Sequence, residues 1–304
     1  MRITVASGKG GTGKTTIATS LALSLDASRP VLLDCDVEAP NAHLFLNPII
    51  ENRTEVSLLV PEVNLAGCTH CGQCAQVCPW HAIAVVADKV LVFPQLCHGC
   101  GSCTLACPEG AISEVPNPIG AIERGSAWPK IDFGQGELYI GEPMAVPIIR
   151  ELKKRWRDGS NGNAHERTTI IDAPPGTTCP VVEALRGSDF ALLVTEPTPF
   201  GLHDLRLAVQ VAQELGIPAG VIINRDGVGD GSVEAYCHEN GLPVLMRIPL
   251  DRRIAQGIAR GTPLVKILPE YLPRFRELYL EIVGLVVANK GNQGGGRVEA
   301  DRGA

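Results

Sequence analysis

Short runs of apolar residues recur along the chain with helix-length segments between them. Runs at 3–6, 31–34, 168–172, 190–195, 220–224 and 244–248 are rich in Val, Ile and Leu, and helical stretches such as 14–25, 201–215 and 232–240 separate them. Short apolar runs of this kind suit strands buried on both faces, and crossovers of helical length join parallel strands right-handedly. The expected fold is therefore α/β, a doubly wound and mostly parallel sheet. The rhythm stops between 62 and 115, where cysteines dominate, and residues 116–139, rich in Pro and Gly, read as an irregular hairpin leading back to the main domain. A last helix at 272–287 carries apolar residues on more than one face together with Arg274, Arg276, Glu277 and Glu281, so it is expected to dock rather than span a membrane. Residues 289–304 are glycine-rich and charged and predict a disordered tail.

Composition narrows the partners. The 304 residues are 45% hydrophobic but only 4% aromatic, and the formal net charge of −6 speaks against a general nucleic-acid binder. Arg150, Lys153, Lys154, Arg155 and Arg157 form a local basic cluster, expected to be a solvated helix end, with a docking patch for an acidic partner as the alternative. The chain enters a strand at once, without the order of segments found in a secretory signal, and the expected location is cytoplasmic.

Eight of the eleven cysteines fall in two identical runs, C-x2-C-x2-C-x3-C-P: Cys68, Cys71, Cys74 and Cys78, then Cys97, Cys100, Cys103 and Cys107. That is the spacing of a bacterial two-cluster ferredoxin, in which each triplet takes its fourth ligand from the other motif. The rule predicts one 4Fe–4S cluster on Cys68, Cys71, Cys74 and Cys107, and a second on Cys97, Cys100, Cys103 and Cys78. Zinc, which favours separated Cys pairs, fits less well. The two halves form an internal repeat, with Trp80-His81-Ala82-Ile83 matching Glu109-Gly110-Ala111-Ile112. His70 and His98 stand beside ligands and read as surface residues, with a hydrogen bond that tunes potential as the alternative. Cys179 reads as a buried small residue, against a reactive thiol or a ligand shared across a dimer. Cys35 reads as strand packing, and Cys237 has no evident partner.

Ahead of this block, Gly8-Lys9-Gly10-Gly11-Thr12-Gly13-Lys14-Thr15 fits the phosphate-binding loop G-x4-G-K-[ST], placed between a strand and a helix. Gly8, Gly10, Gly11 and Gly13 permit a turn whose backbone N–H groups face phosphate at a helix N-terminus. Lys14 is expected to neutralise the β and γ phosphates, Thr15 to join a Mg2+ shell, and Thr16 to bind the α-phosphate.

The second lysine, Lys9, makes residues 9–16 resemble the deviant Walker A of the MinD/ParA ATPases, a group that includes the nitrogenase iron protein and the Mrp iron-sulfur carriers. The resemblance implies that Lys9 reaches the other subunit's phosphates in an ATP-dependent homodimer. Asp34-Cys35-Asp36 resembles switch I, implying that Asp36 positions the attacking water and that Asp34 lies near the metal. Asp172-Ala173-Pro174-Pro175-Gly176 resembles switch II, implying that Asp172 holds Mg2+ through water and that Gly176 senses the γ-phosphate. Asn224, Arg225 and Pro249 resemble adenine-binding positions. The resemblance covers about residues 1–50 and 165–290, and the whole plan looks like a MinD-superfamily ATPase (1–61 and 116–288) holding a ferredoxin-like α+β insert (62–115). Two departures stand out: the C-terminal Cys-x-x-Cys of Mrp carriers is missing, and the tail lacks the basic amphipathic character of the MinD membrane helix. The implied function is ATP hydrolysis coupled to electron transfer through two 4Fe–4S clusters. Alternatives are an iron-sulfur or metal-cofactor assembly factor, and a redox-sensing regulatory switch. A redox or cofactor-assembly protein is the implied partner.

Overall fold

The computed structural model describes residues 1–157 and 167–295. Its strands are β1 (Arg2–Ala6), β2 (Val31–Asp34), β3 (Ile49–Val63), β4 (Ile83–Val86), β5 (Lys89–Val92), β6 (Ile112–Ala127), β7 (Ile131–Leu138), β8 (Thr169–Asp172), β9 (Phe190–Thr195), β10 (Ala219–Asp226) and β11 (Val244–Pro249). Nine of them form one sheet in the order β11-β10-β9-β1-β8-β2-β7-β6-β3, while β4 and β5 make a separate antiparallel pair. From β11 to β7 every pairing is parallel; β6 and β3 add antiparallel.

Alternate residues of the central strands feed two cores. Ile3, Leu32, Ile170 and Leu192 face the helices Lys14–Ser24 and Tyr271–Gly295, whereas Leu33, Ile171 and Leu193 face the helices Val146–Arg157 and Pro199–Glu214. Each such fully buried aliphatic side chain contributes about 1.5–3 kcal/mol. The helix Lys14–Ser24 is almost wholly buried, because the C-terminal helix lays Phe275, Leu278, Ile282 and Val286 over it, at the spacing of a single stripe. Its exit is tied down as well, with Arg276 Nε donating to the Ser24 carbonyl at 2.9 Å.

Three expectations need correction. The supposed irregular hairpin is regular: β6 pairs with β7 from Gly120↔Leu138 to Ala127↔Ile131, and β7 then joins β2 in parallel. On its other edge β6 pairs with β3 from Ile49↔Ser126 to Val63↔Ile112. Beyond Gly120 the β3/β6 pair therefore continues as a two-stranded ribbon, with residues 64–111 at its far end. The C-terminal helix runs on to Gly295, and Lys290 Nζ pairs with Asp189 Oδ1 at 2.9 Å; the rest of the expected tail, 296–304, lies outside the described residues. Lys153 is not a solvated cation. It is 8% exposed, and its ammonium donates to the carbonyls of Glu183, Ala184 and Arg186, closing the C-terminal end of the helix Cys179–Leu185. Among the described residues no helix is long and apolar enough to cross a membrane.

Candidate functional site

Parallel strands end together, and the ends of β1, β2, β8, β9, β10 and β11 bring the predicted residues to one rim. The loop after β1 turns into the helix Lys14–Ser24 through Gly13, whose φ of 99° lies in the left-handed region. Gly8 is needed for a different reason: a Cβ there would lie 2.2 Å from the Asp204 carbonyl oxygen. Thr12 and Thr16 are buried, Thr15 half-buried, and the Thr12 hydroxyl has no hydrogen-bond partner. Gly176 closes the loop from the other side, its N–H donating to the Ser7 carbonyl at 3.1 Å.

Lys14 is 7% exposed and donates to Ser7 Oγ at 3.1 Å. Burial pulls its pKa down, against the charges of Asp172, Asp36 and Asp34. Asp34 and Asp172 are register partners on β2 and β8, both fully buried, but their environments differ. Asp34 Oδ1 accepts from the Asp36 N–H at 3.1 Å, and its Oδ2 accepts from Asn41 and Ala42, each at 2.9 Å. That carboxylate is committed to shaping the loop after β2, a positioning role. Asp172 faces the Thr15 hydroxyl, while by geometry neither of its oxygens has a hydrogen-bond partner. Burial pushes its pKa well above the usual carboxylate range, with the Thr15 hydroxyl drawing it down, and pushes Asp34 up to about 6 against the three backbone donors. Asp36 is half-buried and also raised, mainly by burial, with Lys14 opposing.

A buried carboxylate without a donor, next to a lysine and a threonine hydroxyl, fits a hydrated divalent cation arriving with a phosphate chain. Asp172 and Thr15 are the residues that would hold Mg2+, and the ion would supply charge neutralisation on the phosphates. The pH consequence has a definite sign. Asp34 and Asp172 bind protons more tightly folded than unfolded, so the stability they lend the nucleotide-free protein is full below about pH 4. It is lost as pH rises through the Asp34 value of about 6. Mg2+ favours the charged carboxylates, so MgADP is expected to raise the melting temperature more at pH 8 than at pH 5; equal rises at both would contradict this.

One residue here was missed by sequence reasoning. Glu196, just past β9 and 8% exposed, takes Lys9 Nζ at 3.2 Å on one oxygen and Arg225 Nη1 at 2.7 Å on the other. An acid just after the apolar run 190–194 and Thr195 was the available signal. Asn224 Nδ2 donates to the Thr12 carbonyl at 2.7 Å, and Arg225 reaches the Gly11 carbonyl at 3.4 Å, so both brace the loop. Pro249 is exposed at the end of β11, in register with Asp226.

The cysteines gather at the far end of the ribbon. One cavity is lined by Cys68, Cys71, Cys74 and Cys107, and another by Cys78, Cys97, Cys100 and Cys103. Each set thus combines three cysteines of one repeat with the last of the other. Among the described residues no three His, Cys, Asp or Glu side chains converge on a single-ion site. The thiols instead surround spaces, and backbone donors already face several sulfurs: Ala82 N–H to Cys78 Sγ and Ala111 N–H to Cys107 Sγ, each at 3.3 Å. Eight thiols around two cavities, with amides aimed at sulfur, fit two 4Fe–4S clusters, which such ligands hold as thiolates for one-electron chemistry. Ser102 Oγ lies 3.4 Å from Cys100 Sγ and lowers that thiol's pKa. Of the other three cysteines, Cys35 and Cys237 are buried, and burial pushes Cys237 up to about 11. Cys179 is exposed, against expectation, because it opens its helix on the outward side.

The sequence profile of the CobQ/CobB/MinD/ParA nucleotide binding domain matches residues 3–264. The chain belongs to this family. Within it, the uncharacterized protein MJ0579 of Methanocaldococcus jannaschii is 32% identical over 88% of this chain and 92% of its own length. An iron-sulfur cluster carrier protein of the same organism is 24% identical over 95% of this chain and 86% of its own. The solved structure of the septum site-determining protein MinD with Mg-ADP, from Pyrococcus horikoshii, superposes with a TM-score of 0.57 at 21% identity, covering 95% of this chain and 98% of that one. The likeness to MinD establishes the family's fold, a mostly parallel α/β sheet with a phosphate loop after the first strand.

Proposed function

We propose that this chain is a Mg2+-dependent ATPase whose insert carries two 4Fe–4S clusters, and that it serves iron-sulfur or other metal-cofactor assembly by supplying electrons in step with its nucleotide cycle. The observation behind the coupling is the ribbon. It enters the sheet through β6 and β7, and β7 lies against β2, whose end carries Asp34 and Asp36. There the Leu138 N–H donates to the Val37 carbonyl at 2.8 Å, one residue beyond Asp36. A loop that moves with the nucleotide therefore pulls on β7, which pairs with the ribbon strand β6, the kind of two-state element that a ligand can bias. The service to assembly is supported by the iron-sulfur cluster carrier among the relatives.

The test is anaerobic cluster formation on an apo iron-sulfur acceptor given ferrous iron and sulfide, with the reconstituted protein and MgATP. Acceleration that needs both ATP and the insert cysteines is expected. If the rate does not change, the assembly role falls. The same ribbon would then favour the second reading, an ATP-gated electron carrier for another protein.

Lys9 has a distinct part in this account. It rests on Glu196 of its own chain, yet it is 32% exposed, and such pairs are worth about 0–1 kcal/mol, so release toward a second subunit costs little. Lys9→Ala is expected to spare nucleotide binding and to remove the hydrolysis that depends on a homodimer. Wild-type turnover in that variant would overturn the role across the interface.

A further inference from the structure

The two cysteine cavities are related by the sequence repeat, but their second ligands are approached differently. Cys71 is preceded by His70 and Cys100 by Gly99, and both of these residues adopt the left-handed backbone, at φ 55° and 63°. Glycine takes that conformation freely, and histidine takes it at modest cost, being among the few other residues that adopt it. At position 99 a Cβ would press on the Leu59 carbonyl oxygen at 3.2 Å. At position 70 the side chain is accommodated, and it lines the cavity of Cys68, Cys71, Cys74 and Cys107.

The His70 ring is not satisfied there. Its Nε2 is buried and has no hydrogen-bond partner. The other histidines of the repeat are exposed: His81, also left-handed at φ 51° opposite Gly110 at 59°, and His98, which stacks on Trp80 with ring centroids 3.7 Å apart. A buried, unpaired nitrogen on a side chain that lines one of the two cavities points to a ligand with exposed acceptors, and the sulfides and thiolates of a cluster are such acceptors.

We propose that His70 donates a hydrogen bond from Nε2–H to a sulfur of the cluster held by Cys68, Cys71, Cys74 and Cys107, and thereby raises that cluster's potential. The inference rests on the cluster reading given above. Reduction adds one electron, and one negative charge, to the cluster with no bond broken. A donor at sulfur stabilises the reduced form more than the oxidised form, so it raises the potential.

The experiment is a redox titration with dithionite, followed by EPR, on the full chain with iron quantified. His70→Gly suits the left-handed backbone while removing the donor; His70→Asn tolerates the conformation and restores an N–H. Relative to wild type, His70→Gly is expected to reduce one cluster about tenfold less readily at a given potential, a shift of about 59 mV for one electron, and to leave the other unchanged. Its melting temperature should not fall, and His70→Asn should recover part of the shift. Two clusters with unchanged potentials in both variants would overturn the role of His70 and leave the cluster reading intact. A wild-type protein without two clusters would overturn both.

Discussion

Lys14→Ala is expected to weaken MgADP and MgATP binding at least about a hundredfold, since charge-assisted hydrogen bonds to phosphate contribute about 1.5–3 kcal/mol each. The ammonium is nearly buried and faces Asp172, Asp36 and Asp34, so no solvent cation readily replaces it. The variant should also be less stable without nucleotide at pH 8, where the aspartates have lost their cation. Near pH 5, below the Asp34 value of about 6, protonated carboxylates need no counter-charge and the difference in melting temperature should shrink. Calorimetric titration with MgADP and thermal melts at the two pH values check both parts. Unchanged affinity would contradict the placement of phosphate at Lys14.

The second large effect is on the clusters. Cys107→Ala is expected to lower iron from about eight to about four atoms per chain by removing the cluster of Cys68, Cys71 and Cys74 rather than that of its own repeat. The reason is that Cys107 lines their cavity, while Cys78 lines the cavity of Cys97, Cys100 and Cys103. Pairs of substitutions make the assignment sharp. Adding Cys71→Ala to Cys107→Ala should cost no further iron, because both strike one site, whereas adding Cys100→Ala should remove nearly all of it. The reverse pattern would mean that each repeat binds its own cluster.

Much of this architecture was legible because the central strands are rich in Val, Ile and Leu and the nucleotide and cysteine motifs are local. β2 and β9 fall at their predicted limits, and β1, β8, β10 and β11 within about two residues, since burial on both faces leaves no other reading of such runs. The ribbon was not legible. β3 is exposed along most of its first half, so it has no apolar alternation, and β6 contains Pro116, Pro118, Gly120 and Gly125, which read as breakers. Pro118 is tolerated because it pairs with Ser57 beside a register shift, on a two-stranded stretch with open edges. Glu196 and Lys153 escaped for another reason. Their partners, Lys9 and Arg225 in one case and the carbonyls of Glu183, Ala184 and Arg186 in the other, are distant in sequence, and no local pattern reports contacts made by the fold. The left-handed His70 could have been suspected from the repeat alone, since its counterpart is Gly99.

The central claim is that nucleotide at the phosphate loop alters the clusters at the end of the ribbon. It is tested most directly by anaerobic EPR of dithionite-reduced protein, with iron quantified, without nucleotide and then with MgATP and MgADP. The account predicts two 4Fe–4S clusters whose spectra or potentials differ among the three states. Spectra and potentials identical in all three would contradict it.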